Sequence, residues 1–190
     1  SFSDMADCLF DLGVTIDSSV VPGAKLIDRE KGFDFSDSPD IPNWRFDTNP
    51  ALATADGRFV EVPISPVNLP VFYYWGRLLS RITGRIPSGQ FGDGSSKTFN
   101  RTEAIRRLMG LRRVAEMSTD LPKVYELARV SRNYTRSVFH IMGHPKLLAN
   151  QSIDLLVKFI SRADISESQT VESFSRRVRT RIPASQTRRR

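Results

Sequence analysis

A helical stripe that stops at a glycine and turns at once into a β-branched run is the strongest constraint on this chain. Met5, Leu9 and Leu12 recur at helical spacing, Ser3 stands where a cap belongs, and Gly13 is the natural stop. Val14-Thr15-Ile16-Asp17-Ser18-Ser19-Val20-Val21 follows without a linker and ends at Pro22-Gly23, which predicts a strand. A helix feeding directly into a strand is the αβ half of an α/β repeat, so the expected fold class is α/β.

The pattern then breaks and resumes. Residues 22–57 are rich in Asp, Gly, Pro and Ser, carry isolated aromatics at Phe33, Phe35, Trp44 and Phe46, and read as a long insertion loop anchored by those rings. Asp56-Gly57 is a turn signal, and Phe59-Val60-Glu61-Val62-Pro63-Ile64 alternates as a strand with Pro63 at an edge or end. Val71 to Thr83 predicts a helix, followed by a flexible Gly- and Ser-rich loop over 85–97 that lacks the Gly-Lys-Ser/Thr ending of a phosphate cradle. Asn100 and Glu103 form a capping box before a helix striped by Ile105, Leu108, Met109 and Leu111, and a second helix starts at Pro122 with Val124, Leu127 and Ala128 as its core side. A strand over Ser137 to Met142, a helix over Ser152 to Ser161 and a last short strand and helix over Glu167 to Arg181 repeat the alternation. One domain over 1–181 and an Arg-rich, disordered tail over 182–190 are expected.

Charge and cysteine content narrow the function classes. The chain has 190 residues and a net charge of +7. From Val171 to Arg190 seven Arg face only Glu172, which leaves a nearly neutral body, and residues 1–57 hold eleven Asp or Glu against four Lys or Arg. A nucleic-acid footprint over the body is not expected. No run reaches the roughly 18 apolar residues of a membrane span, so a soluble protein, cytoplasmic or of the cell envelope, is expected. The lone Cys8, on the helical stripe, reads as a small buried thiol and supplies no zinc cluster. The chain opens on Ser1 with a helical pattern already under way by Asp4, which reads as a segment of something longer with an exposed apolar edge.

Both histidines lie in Val138-Phe139-His140-Ile141-Met142-Gly143-His144-Pro145. His-x-x-x-His suggests a metal, but Pro145 and Gly143 disfavour the helix that would bring both rings to one ion, and on a strand the pair would stand ~13 Å apart. Sites in α/β folds are built just beyond the carboxyl ends of strands, which is where His144 falls. An imidazole ordinarily titrates near neutral pH and suits proton donation to a leaving group. Capping of the following turn is the competing role for His144, and His140 reads as a core histidine or one that orients the site.

Several segments together resemble the polysaccharide deacetylase, or NodB-homology, family of carbohydrate esterases. They are LFDLGVTIDSSVVPG at 9–23, GRFVEVPIS at 57–65, IMGHP at 141–145, similar to the family's late Leu-x-x-His motif with Ile141 for Leu, and SESQTVESF at 166–174. The resemblance implies the C-terminal part of a distorted (β/α) barrel, and hydrolysis of N-acetyl groups on an amino-sugar polymer or glycan. It also implies a divalent metal, usually zinc, held by one Asp and two His. His144 would be the general acid that protonates the departing amine. The family's Asp-Asp motif and its His-x-x-x-His metal motif precede this region and are not in the sequence, so no metal ligand is assigned and this segment alone is expected to be inactive. Glu61 and Asp17 are candidates for orienting the site, each equally an ordinary hydrogen-bonding residue, and Trp44 either stacks on a sugar ring or anchors its loop. Two other functions fit the same residues: a binding module whose Arg-rich tail meets nucleic acid or an anionic membrane, and a catalytically silent relative of the deacetylases.

Overall fold

The structure, a computed structural model, describes residues 2–26, 32–83, 101–111, 114–120, 123–132, 134, 138–145, 148–162, 169–170, 173–174 and 176–177. Where the sequence pattern suggests one domain, the chain clusters into two compact units. One comprises Ser1–Val20, Asp37–Pro63 and Asp164–Arg190, and the other Val21–Ser36 and Ile64–Ala163. The 22–57 insertion is divided between them. The expected loop over 85–97 and the tail over 182–190 lie outside the described residues, as does most of the element expected over Glu167 to Arg181.

In the first unit, helix α1 (Phe2–Asp11) precedes strand β1 (Ile16–Asp17). Gly13, at φ 78°, closes the helix, with its own N–H donated to Phe10 O and that of Val14 to Leu9 O. The buried side of α1 is not the expected stripe. It runs through Ala6, 1% exposed, while Met5 and Leu12 are exposed; Cys8 is exposed too, which corrects the reading of a buried thiol. Phe10, one turn beyond Ala6, sets its ring edge-on to Phe59 with centroids 6.1 Å apart.

The insertion supplies β4 (Trp44–Phe46), after β2 (Lys25–Leu26) and β3 (Phe33–Asp34) of the other unit, and the chain returns as β5 (Phe59–Glu61). These strands form a sheet in the order β1-β5-β4, with β1 parallel and β4 antiparallel to β5. Phe46 and Phe59, both fully buried, stack at 5.4 Å, and Arg58 covers the Phe10 and Phe59 rings while pairing with Asp7 and Asp47 at 2.6 Å each. Gly57 is required where it stands: a Cβ there would lie 2.4 Å from the Phe46 backbone. The strand expected over Val14 to Val21 pairs only at Ile16 and Asp17. Beyond Asp17 side chains take over the ladder's work, the Ser18 hydroxyl bonding Val62 O and the amides of Ser19 and Val20 turning to a carboxylate.

The second unit contains two antiparallel pairs, β2 (Lys25–Leu26) with β3 (Phe33–Asp34) and β6 (Pro66–Asn68) with β7 (Val114–Glu116). Its helices are α2 (Val71–Ile82), α3 (Arg101–Leu108), a 3-10 turn (Lys123–Glu126) leading into α4 (Leu127–Arg132), and α5 (Asn150–Ile160). Val67, Leu69, Tyr74, Ala115, Met117 and Leu127 form its main core, lined by Leu108, Phe139, Ile141 and Leu156. Burying such a set, at about 1.5 to 3 kcal/mol per large side chain, is what fixes these short elements. On α3 only Leu108 of the expected stripe packs inward; Ile105, Met109 and Leu111 are exposed, as is Ala128 on α4.

The strand expected over Ser137 to Met142 is an extended segment, described from residue 138, with one parallel bridge between Met142 and Ser118. The 3-10 turn and α4 lie between those two residues, so this pairing is a parallel contact with a helical crossover, the connection parallel neighbours require. A closed barrel is not formed among the described residues, and the barrel remains an inference from the resemblance. No helix of the described residues is long and apolar enough to cross a membrane.

Candidate functional site

Three backbone segments of the second unit come together at Ser65. Its N–H is donated to His140 O, its carbonyl accepts the Met117 N–H, and its hydroxyl accepts from both the His140 N–H and the Tyr134 hydroxyl at 2.8 Å. At 2% exposure, such a hydroxyl is satisfied by these partners rather than by water. Next to it the Met142 N–H is donated to Met117 O and the Thr119 N–H to Met142 O, which aligns the run 117–119 with the extended segment 138–143.

That alignment carries both chains to one carboxylate–imidazole pair. Asp120 follows the β7 run and His144 follows the extended segment. The His144 backbone N–H is donated to Asp120 Oδ1 at 2.8 Å, and His144 Nδ1 lies 2.5 Å from Asp120 Oδ2. Two contacts from one residue fix the ring's position as well as its tautomer: a carboxylate only accepts, so Nδ1 carries the proton and Nε2 is left for chemistry. Exposure divides the pair by role, since the Asp120 side chain is 8% exposed and that of His144 41%. The carboxylate is held inside and the imidazole reaches the surface.

The local sequence explains the placement. The Asp120 N–H is donated to the fully buried Ser118 Oγ at 2.9 Å, and the Asp120 carbonyl accepts the Val124 N–H at the entry to the 3-10 turn. Gly143 allows the close pass just before His144, because a Cβ there would lie 2.7 Å from Thr119 Oγ1. Four residues before Asp120, Glu116 pairs with Lys123. Burial opposes the Glu116 charge, but Lys123 outweighs it and holds the carboxyl below its ordinary range. Burial likewise draws the Lys123 ammonium below its ordinary range, against the pull of Glu116.

His144 therefore stands at the end of its segment, paired with a carboxylate that the sequence reading did not find. The signal was there in Val114-Ala115-Glu116-Met117-Ser118-Thr119-Asp120, a short run with Ala115 and Met117 on one side of Glu116, ending on an acid before Leu121-Pro122. Its shortness and the Arg residues ahead of it hid the strand. His140 is engaged through its backbone to Ser65, inside the unit.

The other candidates belong to the first unit, where Asp17 and Glu61 are brought together. Glu61, at the end of β5, is fully buried, and its Oε1 accepts the amides of Ser19 at 3.2 Å and Val20 at 3.0 Å. Its Oε2 is buried with no hydrogen-bond partner among the described residues. Burial and, after it, the neighbouring Asp17 charge push the Glu61 carboxyl up to about 8, despite the two amides. Asp17 accepts the Ser19 hydroxyl at 2.7 Å. Trp44 is buried, 5% exposed, and donates its indole N–H to Pro50 O at 2.8 Å, an anchor for its own loop rather than an open stacking face.

The divalent metal implied by the resemblance would take its ligands from outside this sequence. No group of three or more His, Cys, Asp or Glu among them could hold an ion, and His140 and His144 lie on extended chain rather than one helical face. No family model, no curated protein and no solved structure matches this chain.

Proposed function

We propose that this chain carries the proton-delivering side of an amidohydrolase that removes N-acetyl groups from an amino-sugar polymer or glycan. The Asp120–His144 pair is the observation that supports it. When a tetrahedral adduct of the acetamide collapses, the C–N bond breaks and its electron pair goes to nitrogen. His144, as imidazolium, delivers its Nε2 proton to that nitrogen and leaves as neutral imidazole. Asp120 holds the Nδ1 proton throughout, orients the ring and stabilises its charged form. The acetylated glycan and the reaction class come from the family resemblance, whose late motif falls on His144.

The test is acetate release from a chitin oligomer by the full-length gene product, in wild-type, His144→Ala and Asp120→Asn forms. The proposal expects folded variants, judged by circular dichroism, with hydrolysis reduced by roughly 10²- to 10⁴-fold. Undiminished hydrolysis in His144→Ala would sink the assignment of the acid. A folded wild-type protein with no hydrolysis would point to a catalytically silent relative.

A further inference from the structure

Asp120 has a cationic neighbour that it does not bind. Lys123 opens the 3-10 turn three residues further on, and the Val124 N–H donated to Asp120 O folds the chain back between the two. Asp120 nevertheless gives both carboxylate oxygens to His144, and the Lys123 ammonium turns to Glu116 on β7. A lysine side chain only 12% exposed needs a charged partner, because little water reaches its ammonium. The other acid of the turn, Glu126, is taken by Arg129 at 2.6 Å.

Two acids therefore compete for one buried cation. Burial opposes the Lys123 charge, Glu116 pulls most strongly in its favour, and Asp120 adds to that pull against Arg107 of α3. Arg107 in turn favours the Glu116 charge, so Glu116 has a second cation near it. A lysine carries a point charge on a flexible four-carbon stem and can change partner where both acids are near.

We infer that Glu116 is a positioning residue: it holds the Lys123 ammonium away from Asp120, so that this carboxylate serves His144 alone. An ammonium paired with Asp120 would draw a carboxylate oxygen from the imidazole, and the Nδ1 proton would lose the acceptor that fixes it there. Glu116 thus acts on His144 through Lys123 and Asp120. The inference deepens the hydrolytic reading and rests on it for the effect on rate, whereas the effect on the ring's tautomer can be read without any hydrolysis.

The test is nitrogen NMR of the neutral His144 ring, together with acetate release from a chitin oligomer, in the full-length gene product carrying Glu116→Gln, Lys123→Met or both. In Glu116→Gln the freed ammonium should capture Asp120, so His144 should lose its Nδ1–H signature and kcat should fall roughly tenfold or more with KM little changed. Lys123→Met removes the competitor, and the wild-type tautomer and kcat should persist. The double variant should recover what Glu116→Gln loses. An ion pair that only braced the loop would make the two single variants alike, so equal losses in both would overturn the inference, as would a Glu116→Gln protein with the wild-type tautomer. Should Glu116→Gln not fold, Lys123→Met decides: a retained Nδ1–H supports the inference and a lost one overturns it. A wild type with the Nδ1–H signature but no acetate release would remove the hydrolytic reading and leave the positioning role standing.

Discussion

Glu61 and Asp120 are two buried acids at the ends of parallel-paired segments, and the structure treats them in opposite ways. Asp120 meets an imidazole, with His144 bonded to both of its oxygens. Glu61 meets two backbone amides on one oxygen, no hydrogen-bond partner among the described residues on the other, and a second carboxylate, Asp17, nearby. Equal burial therefore gives different chemistry. Asp120 orients the imidazole it meets, whereas burial leaves Glu61 holding its proton well above the usual carboxylate range.

The sharpest way to break this contrast is at Asp120. Asp120→Asn keeps the shape but offers Nδ1 an amide in place of a carboxylate, and should cost roughly 10²- to 10⁴-fold in acetamide hydrolysis with little change in melting temperature. A variant as active as wild type would reduce the pair to a structural hydrogen bond. The matching experiment at the other acid is Glu61→Gln, read as stability against pH. Folded Glu61 keeps its proton from its ordinary value of 4.5 up to about 8, while the unfolded chain has lost it over that range. Its contribution is therefore full below about 4.5 and is lost as pH rises through 8. The shift corresponds to at most about 5 kcal/mol between the charge states. Urea midpoints of wild type should fall between pH 5 and pH 8.5, and the neutral Gln variant should flatten that slope. An unchanged slope would place the titration elsewhere.

Two glycines sharpen the contrast at smaller scale. Gly57→Ala drives a methyl against the Phe46 backbone beside β5, the strand that holds Glu61, and should cost about 2 to 3 kcal/mol in chemical denaturation. Gly143→Ala meets a Thr119 hydroxyl, which can shift, and makes ordinary contact with Leu148, so about 1 kcal/mol of stability is expected. The more telling readout there is hydrolysis, because the residue that moves next is His144. A Gly143→Ala protein with normal stability and full activity would show that the close pass at Thr119 does not position the ring.

Legibility in the sequence followed the length of the signal. Helices α2 and α5 were readable because periodicity runs through whole turns, and the helix-to-strand junction at Gly13 because its stop and its β-branched run are adjacent. The pairs β2–β3 and β6–β7 were not, since strands of two or three residues show no period of two. Which side of a helix is buried was also beyond reach on α1 and α3, where Ala6 and Leu108 face inward and larger apolar neighbours stay outside. Periodicity identifies a stripe, but the surface that covers it is made by other parts of the chain.

The sequence by itself determined the helix that stops at Gly13, the helices α2 and α5, the location of charge, and His144 as a residue at the end of an extended segment and ahead of a proline. The tertiary structure alone decided its partner. Asp120 lies 24 residues away, and only the parallel contact of 117–119 with 140–142, clasped at Ser65, joins that unremarked acid to His144. The same holds for Glu61, whose carboxyl is pushed up by burial that distant segments impose, against the pull of amides 41 and 42 residues away in sequence. Local propensity acts over a few residues, while burial and pairing depend on which distant segments share a neighbourhood.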